Sequence, residues 1–155
     1  PLPVSAACYA DGALYVRLSG AAAGVRAARE KLGGETLESG AAFWKSLREQ
    51  SHPFFAPRAR LWRLSVKSSS PPLKLSGRQL IEWGGALRWL VTDADAATVR
   101  AAAEKAGGHA TLFRAADKSA GVFHPLNPAL QKIHQRLKQA FDPRGVLNPG
   151  RLYDF

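Results

Sequence analysis

Three short stretches of this sequence place polar side chains where they can do chemistry. Asn148-Pro149-Gly150 sets an amide side chain and exposed backbone groups in a bend fixed by proline and glycine. Such a rigid arrangement can hydrogen-bond the edge of a planar heterocycle, although the plainer reading is a turn opened by Asn148. Arg63 lies beside Trp62 on the polar side of an expected strand. Its planar fork suits a two-bond grip on a small carboxylate, and the same alternation also fits an arginine on a solvated face. His124, in Gly121-Val122-Phe123-His124-Pro125, sits in a pre-proline loop able to hold a base rigidly, and His134 lies on the expected last helix. Neither has a carboxylate beside it in sequence, so neither carries the pairing a general base needs.

The single Cys8 excludes an internal disulfide framework and the Cys/His spacing of a structural zinc site, so no metal site is expected. It also makes a reducing cytosolic compartment the default. At 155 residues the chain fits one domain, burying roughly two-thirds of its unfolded surface. No run approaches the roughly 18 apolar residues that span a bilayer. A net charge of +10 and a pI near 10.4 favour a polyanion, an acidic protein face or an anionic membrane surface as neighbour. The basic residues are spread over every element rather than bunched. With no methionine and a start at Pro1-Leu2-Pro3, the chain is expected to be part of a longer protein.

Elements able to position these residues follow from periodicity. Asp11-Gly12 between two short apolar runs signals a hairpin, and Leu14, Val16 and Leu18 alternate with Tyr15 and Arg17 as in a strand with one buried face. A helix over 21–32 is stopped by Gly33, with a strand expected near 35–38. Residues 41–50 form a helix with Phe43, Trp44 and Leu47 on one side. Residues 60–67 form a strand with Trp62, Leu64 and Val66 facing one way and Arg63, Ser65 and Lys67 the other. A second hairpin pairs 78–83 with 86–91 across Gly84-Gly85. A helix capped by Thr92 or Asp93 follows, then a strand over 109–114. Asn127-Pro128 opens the last helix, with Leu130, Ile133, Leu137 and Phe141 as its apolar seam.

Val25-Arg26-Ala27-Ala28-Arg29-Glu30-Lys31-Leu32-Gly33-Gly34 recurs as Val99-Arg100-Ala101-Ala102-Ala103-Glu104-Lys105-Ala106-Gly107-Gly108. Two strand-helix-strand units are therefore expected. The fold class is α+β, a ferredoxin-like, pseudo-duplicated antiparallel sheet covered by helices on one face, with an extended C-terminal tail. None of the glycine pairs makes a Gly-x-Gly-x-x-Gly or Walker pattern.

The tail Phe141-Asp142-Pro143-Arg144-Gly145-Val146-Leu147-Asn148-Pro149-Gly150-Arg151-Leu152-Tyr153 mixes turn formers with apolar anchors, as a tied-down terminus does. It resembles the C-terminal signature of the FAD-linked oxidases, the vanillyl-alcohol-oxidase-like flavoproteins. Phe43-Trp44-Lys45-Ser46-Leu47-Arg48-Glu49-Gln50, His52-Pro53-Phe54-Phe55, Leu61-Trp62-Arg63-Leu64-Ser65 and Glu82-Trp83-Gly84-Gly85-Ala86-Leu87-Arg88-Trp89-Leu90 are similar to the E-type flavin subunit of bacterial glycolate oxidases. The resemblance implies an α+β cap domain over 1–140 and a tail, 141–155, that returns to a separate FAD-binding domain. It implies that FAD is held mainly by that other domain, with Asn148, Pro149 and Gly150 approaching the flavin. It further implies a small 2-hydroxy acid substrate, glycolate oxidised to glyoxylate, and partners in a larger flavin subunit and an iron-sulfur subunit. Location would be cytoplasmic, or peripheral at the inner membrane face. The family's His-x-Gly-Asp-Gly-Asn and Glu-His-Gly segments are absent from this stretch, so it is expected not to turn over by itself.

Two other readings compete. A basic ferredoxin-like module could bind nucleic acid, but the aromatic RNP pattern is missing, and the spacing of Trp62 with Leu64 and Val66, and of Trp89 with Leu87 and Val91, reads as core. A structural subunit with a decayed flavin site is the second. The reading adopted has no nucleic-acid partner.

Overall fold

A computed structural model describes residues 1–56 and 59–155. In chain order the elements are β1 (Val4–Ala10), β2 (Ala13–Leu18), α1 (Ala22–Leu32), α2 (Gly40–Arg48), a 3₁₀ turn Pro53–Phe55, β3 (Leu61–Ser65) and β4 (Arg78–Glu82). A second 3₁₀ turn, Trp83–Gly85, leads into β5 (Leu87–Val91), α3 (Ala96–Lys105), β6 (His109–Arg114) and α4 (Pro128–Phe141). The six strands form one antiparallel sheet in the order β2-β1-β4-β5-β3-β6. The α+β class stands.

Strand alternation puts two sets of apolar side chains on opposite faces of this sheet. On one face Cys8, Leu61, Leu80, Leu87 and Trp89 pack against Leu47 of α2 and against Phe54 and Phe55. On the other, Trp62, Leu64, Leu90, Ala110 and Leu112 pack against Val99 and Ala103 of α3. Helical elements thus cover both faces rather than the one expected. The central strand β5 is the reason: all five of its residues are buried, so each face of it needs a cover.

Other expectations change with the structure. No strand forms over 35–38: Gly33 and Gly34 both take positive φ, and the chain passes without sheet pairing into α2. The first repeat is therefore strand-helix only, while β5-α3-β6 completes the second, and pseudo-duplication is not realised. The helices differ in what they bury, since α1 hides only Ala28 whereas α3 hides Val99 and Ala103. The cap of α3 is Asp95, whose Oδ1 accepts Thr98 N–H at 2.8 Å and whose Oδ2 accepts the Thr98 hydroxyl at 2.6 Å. These bonds favour the ionised form and lower its pKa. Thr92 serves the preceding turn, accepting Ala94 N–H.

In β2 the packed side chain is Tyr15, 4.2 Å from the Phe43 ring centroid, while Leu14 and Val16 are exposed. The seam of α4 is open as well: Leu130, Ile133, Leu137 and Phe141 are all exposed, although Asn127 caps the helix as expected by accepting Leu130 N–H at 2.9 Å.

Candidate functional site

The face that carries α2 and the two phenylalanines is covered only in part. Beyond them it opens into a groove of about 2120 Å³ lined by Arg63, Glu82, Trp83, Trp89 and Phe113, with Lys45 of α2 at its border. Arg63 arrives there because its register partners are Trp89 on β5 and Thr111 on β6, which places all three on this face. Its Cζ lies 5.8 Å from the Trp83 ring centroid, a cation–π contact. Among the described residues, no hydrogen bond or ion pair engages its guanidinium. The donors of its fork are therefore available to an anion.

The walls around Arg63 are ordered. Trp89 Nε1 donates to Glu82 Oε2 at 2.8 Å, and the Trp89 ring meets Phe55 and Phe113 edge-on, with centroids at 5.5 and 5.0 Å. Glu82 and Trp83 enter the sequence reading only within the family resemblance and not as site residues, and Phe113 does not enter it except as part of a strand. Alternation along each strand is legible, but Glu82 and Phe113 share a face with Arg63 only through the long-range pairings β4-β5 and β3-β6.

Trp83, unlike Trp62 and Trp89, is not a core residue. It is 69% exposed, on a turn where Trp83, Gly84 and Gly85 take φ of 51°, 60° and 99°. Trp62 and Trp89 are buried as expected, which removes two stacking platforms from the nucleic-acid reading.

Asn148 is exposed, with φ 47°, and its carbonyl accepts Arg151 N–H at 3.2 Å, closing the turn that contains Pro149 and Gly150. It borders a second groove of about 440 Å³ between the tail and α4, together with His134 and Tyr153. The tail is held from within. Lys138 Nζ donates to Asp142 Oδ2 and to the Leu147 carbonyl, both at 2.5 Å, and Asp142 accepts the backbone N–H groups of Val146 and Leu147. Those bonds lower the Asp142 pKa below the usual carboxylate value. Tyr153 donates its hydroxyl to the His124 carbonyl at 3.1 Å and sets its ring edge-on to His134 at 5.8 Å. The apolar anchors Val146, Leu147 and Leu152 nevertheless stay exposed.

His124 is engaged at both ring nitrogens: Nδ1 accepts Ala110 N–H at 3.3 Å, so Nε2 carries the proton toward Glu104 Oε1 at 2.9 Å. The carboxylate missing from its sequence neighbourhood is thus supplied by α3. This pinning ties the 118–126 loop to β6 and α3. Arg63, Asn148 and His124 share no groove; the first lines the sheet-face groove, the second the tail groove, and the third neither.

Among the described residues no helix is long and apolar enough to cross a membrane, and no group of three or more His, Cys, Asp or Glu could hold a metal ion. Cys8 is buried, its thiol pushed up to about 12 by desolvation and by the nearby Glu82 and Asp11 carboxylates, which leaves it protonated and inert.

No family model and no solved structure matches the chain. It is similar to the glycolate oxidase subunit GlcE of Escherichia coli strain K12, with 52% identity over 153 residues. The match covers 99% of this chain and 42% of that relative, so the chain spans less than half of the protein it resembles. The likeness expected from residues 43–155 therefore extends through the N-terminal hairpin and α1 as well.

Proposed function

We propose that this chain is the cap region of a flavin-dependent glycolate oxidase subunit, an oxidoreductase part whose open sheet face roofs the site where glycolate becomes glyoxylate. The observation that carries this reading is the 52% identity to the glycolate oxidase subunit over nearly the whole chain. The unpaired Arg63 on the groove floor supports it, since a two-carbon hydroxy acid offers a carboxylate as its main handle. In this reading Arg63 binds and orients the carboxylate, while Trp89 and Phe113 keep water from that part of the groove.

In this reading the chain meets FAD at one edge. Gly108 and Gly85 are packing glycines, because an added Cβ would meet the Ser65 carbonyl oxygen at 1.9 Å and that of Ser68 at 2.7 Å, and they cradle no diphosphate. Asn148, Pro149 and Gly150, exposed in a rigid turn, would meet the flavin ring edge. FAD, held mainly by another domain of the same protein, supplies the acceptor for the two electrons taken from the acid. The exposed row Leu130, Ile133, Leu137 and Phe141, continued by Val146 and Leu147, would lie against that domain and return the tail to it. The basic surface would dock on an acidic sister subunit, the larger flavin or iron-sulfur partner, or on the inner membrane face.

The test uses the full-length protein with the subunits that co-purify with it, assayed for bound flavin and for glycolate-dependent dye reduction. Arg63→Ala is expected to raise the KM for glycolate about 10- to 100-fold, the loss of a charged hydrogen-bonded pair, with flavin content unchanged. Arg63→Lys should recover only part of it. Normal glycolate kinetics in Arg63→Ala would remove Arg63 from the site, and a protein with neither flavin nor glycolate turnover would sink the reading altogether.

A further inference from the structure

We infer that Trp83 is the residue that restricts the substrate to the smallest 2-hydroxy acids, a wall set beside the carboxylate grip; this rests on the glycolate oxidase reading above. Three observations lead to it. The first is size. A groove of about 2120 Å³ exceeds the roughly 300–1,000 Å³ typical of small-molecule sites, so its open floor cannot by itself tell a two-carbon acid from a longer one. Selection needs a wall close to the anchored carboxylate.

The second is position. The Trp83 ring centroid is 5.8 Å from Arg63 Cζ, and both line the same groove. A carboxylate held with N···O distances of about 2.7–2.9 Å would direct the rest of its chain along the groove that the indole also lines. A longer chain extending toward Trp83 would compete with the ring for space.

The third is backbone conformation. A tryptophan at φ 51° occupies a region that bulky L-residues rarely adopt, and glycines fill the next two positions of the same turn. The turn would accept glycine at 83 with less strain, and the indole buries little, being 69% exposed. Neither turn formation nor core packing calls for a tryptophan here. What it does supply is a large flat surface standing over Arg63.

The experiment compares Trp83→Gly and Trp83→Phe with the unmodified full-length protein and its co-purifying subunits. The kcat/KM is measured for glycolate and for 2-hydroxy acids of three, four and five carbons. Trp83→Gly is expected to improve the longer acids relative to glycolate by about 10- to 200-fold, the range one methylene commands in an apolar pocket, whatever its effect on glycolate alone. Trp83→Phe should fall between. A chain-length profile unchanged in Trp83→Gly, with glycolate still oxidised, overturns this inference and leaves the glycolate oxidase reading intact. If Trp83→Gly loses all acids equally, its near-ultraviolet circular dichroism and the Trp83→Phe profile decide: a native signal and no graded effect in the phenylalanine variant also overturn it. A protein that oxidises no 2-hydroxy acid in any form sinks both claims.

Discussion

Replacing Arg88 is expected to cost more stability than any other surface-type residue of this sheet, because Arg88 is a charge held inside it. The side chain is 3% exposed and, among the described residues, meets no carboxylate; Nε donates to the Gly85 carbonyl at 3.1 Å, Nη1 to Pro71 at 2.7 Å and Nη2 to Ser70 at 2.5 Å. Burial lowers its pKa from the usual guanidinium value, yet a guanidinium stays charged at physiological pH. The fork thus closes two loops at once, the long connection between β3 and β4 and the Trp83–Gly85 turn. Hydrogen bonds from a charged donor contribute about 1.5–3 kcal/mol each, and breaking a buried charged constellation costs about 3–5 kcal/mol. The three bonds are not additive, since freed carbonyls recover water as the loop loosens. Arg88→Leu is therefore expected to destabilise by about 3–5 kcal/mol. Arg88→Lys should cost about 2 kcal/mol, because one ammonium cannot span three carbonyls in a plane.

The assay is urea unfolding of the full-length protein, followed by tryptophan fluorescence, together with amide hydrogen exchange. Exchange should accelerate first at 68–72 and 83–86, before the core strands respond. An Arg88→Leu variant within about 0.5 kcal/mol of the parent, the range of ordinary surface changes, would refute the reasoning. The link to function is direct, because the turn Arg88 holds through Gly85 is the one that carries Trp83 to Arg63.

Further predictions concern the backbone and the titrating groups. Gly108→Ala should destabilise by about 3 kcal/mol or more in the same unfolding assay, since its Cβ would lie 1.9 Å from the Ser65 carbonyl oxygen and 2.8 Å from Val66 Cα, while Gly24→Ala in α1, with open space around it, should stabilise by up to about 1 kcal/mol. The Asp142 carboxylate has a folded pKa lowered by its bonds to Lys138, Leu147 and Val146, so its contribution is complete above the unfolded carboxylate pKa and is lost as pH falls through the folded value. Protease cleavage of the tail should rise on acidification below about pH 4 and should already be high, and flat with pH, in Asp142→Asn. The Cys8 thiol, raised to about 12, should resist alkylation at pH 8 in the folded protein. Because its folded pKa is raised, the unfolded chain alone ionises as pH climbs from about 9 toward 12, and stability should fall across that window less steeply in Cys8→Ala.

Much of the fold is legible in local pattern. Asp11-Gly12 announces its hairpin, Asn127-Pro128 announces α4, and the alternation of Trp62 and Leu64 against Arg63 correctly divides β3 between buried and groove-facing sides. These signals are readable because each depends on the conformational preferences of a few adjacent residues. The strand expected at 35–38 shows where that stops. A strand exists only if a neighbouring edge accepts it, and after Gly33-Gly34 the chain turns into α2 while β2 remains an outer strand. The site suffers from the same limit. Arg63 was visible, but its relation to Glu82, Trp83 and Phe113 depends on the order β4-β5-β3-β6, which no local pattern encodes.

The seam of α4 separates what periodicity states from what it leaves open. Leu130, Ile133, Leu137 and Phe141 recur at helical spacing, which says that one face of the helix requires an apolar partner. It does not say that the partner is this sheet, and Phe141 is 81% exposed. A row of four large apolar groups left in water, continued by Val146 and Leu147, is poorly suited to a self-sufficient domain. If the row lies on the flavin domain, Ile133→Glu with Leu137→Glu in the full-length protein should leave the β5 and β3 amides as protected from exchange as before, while the tail opens and flavin is lost. Equal loss of protection in the sheet would instead make α4 part of this core. Unchanged flavin content would leave the row with some partner other than the flavin domain.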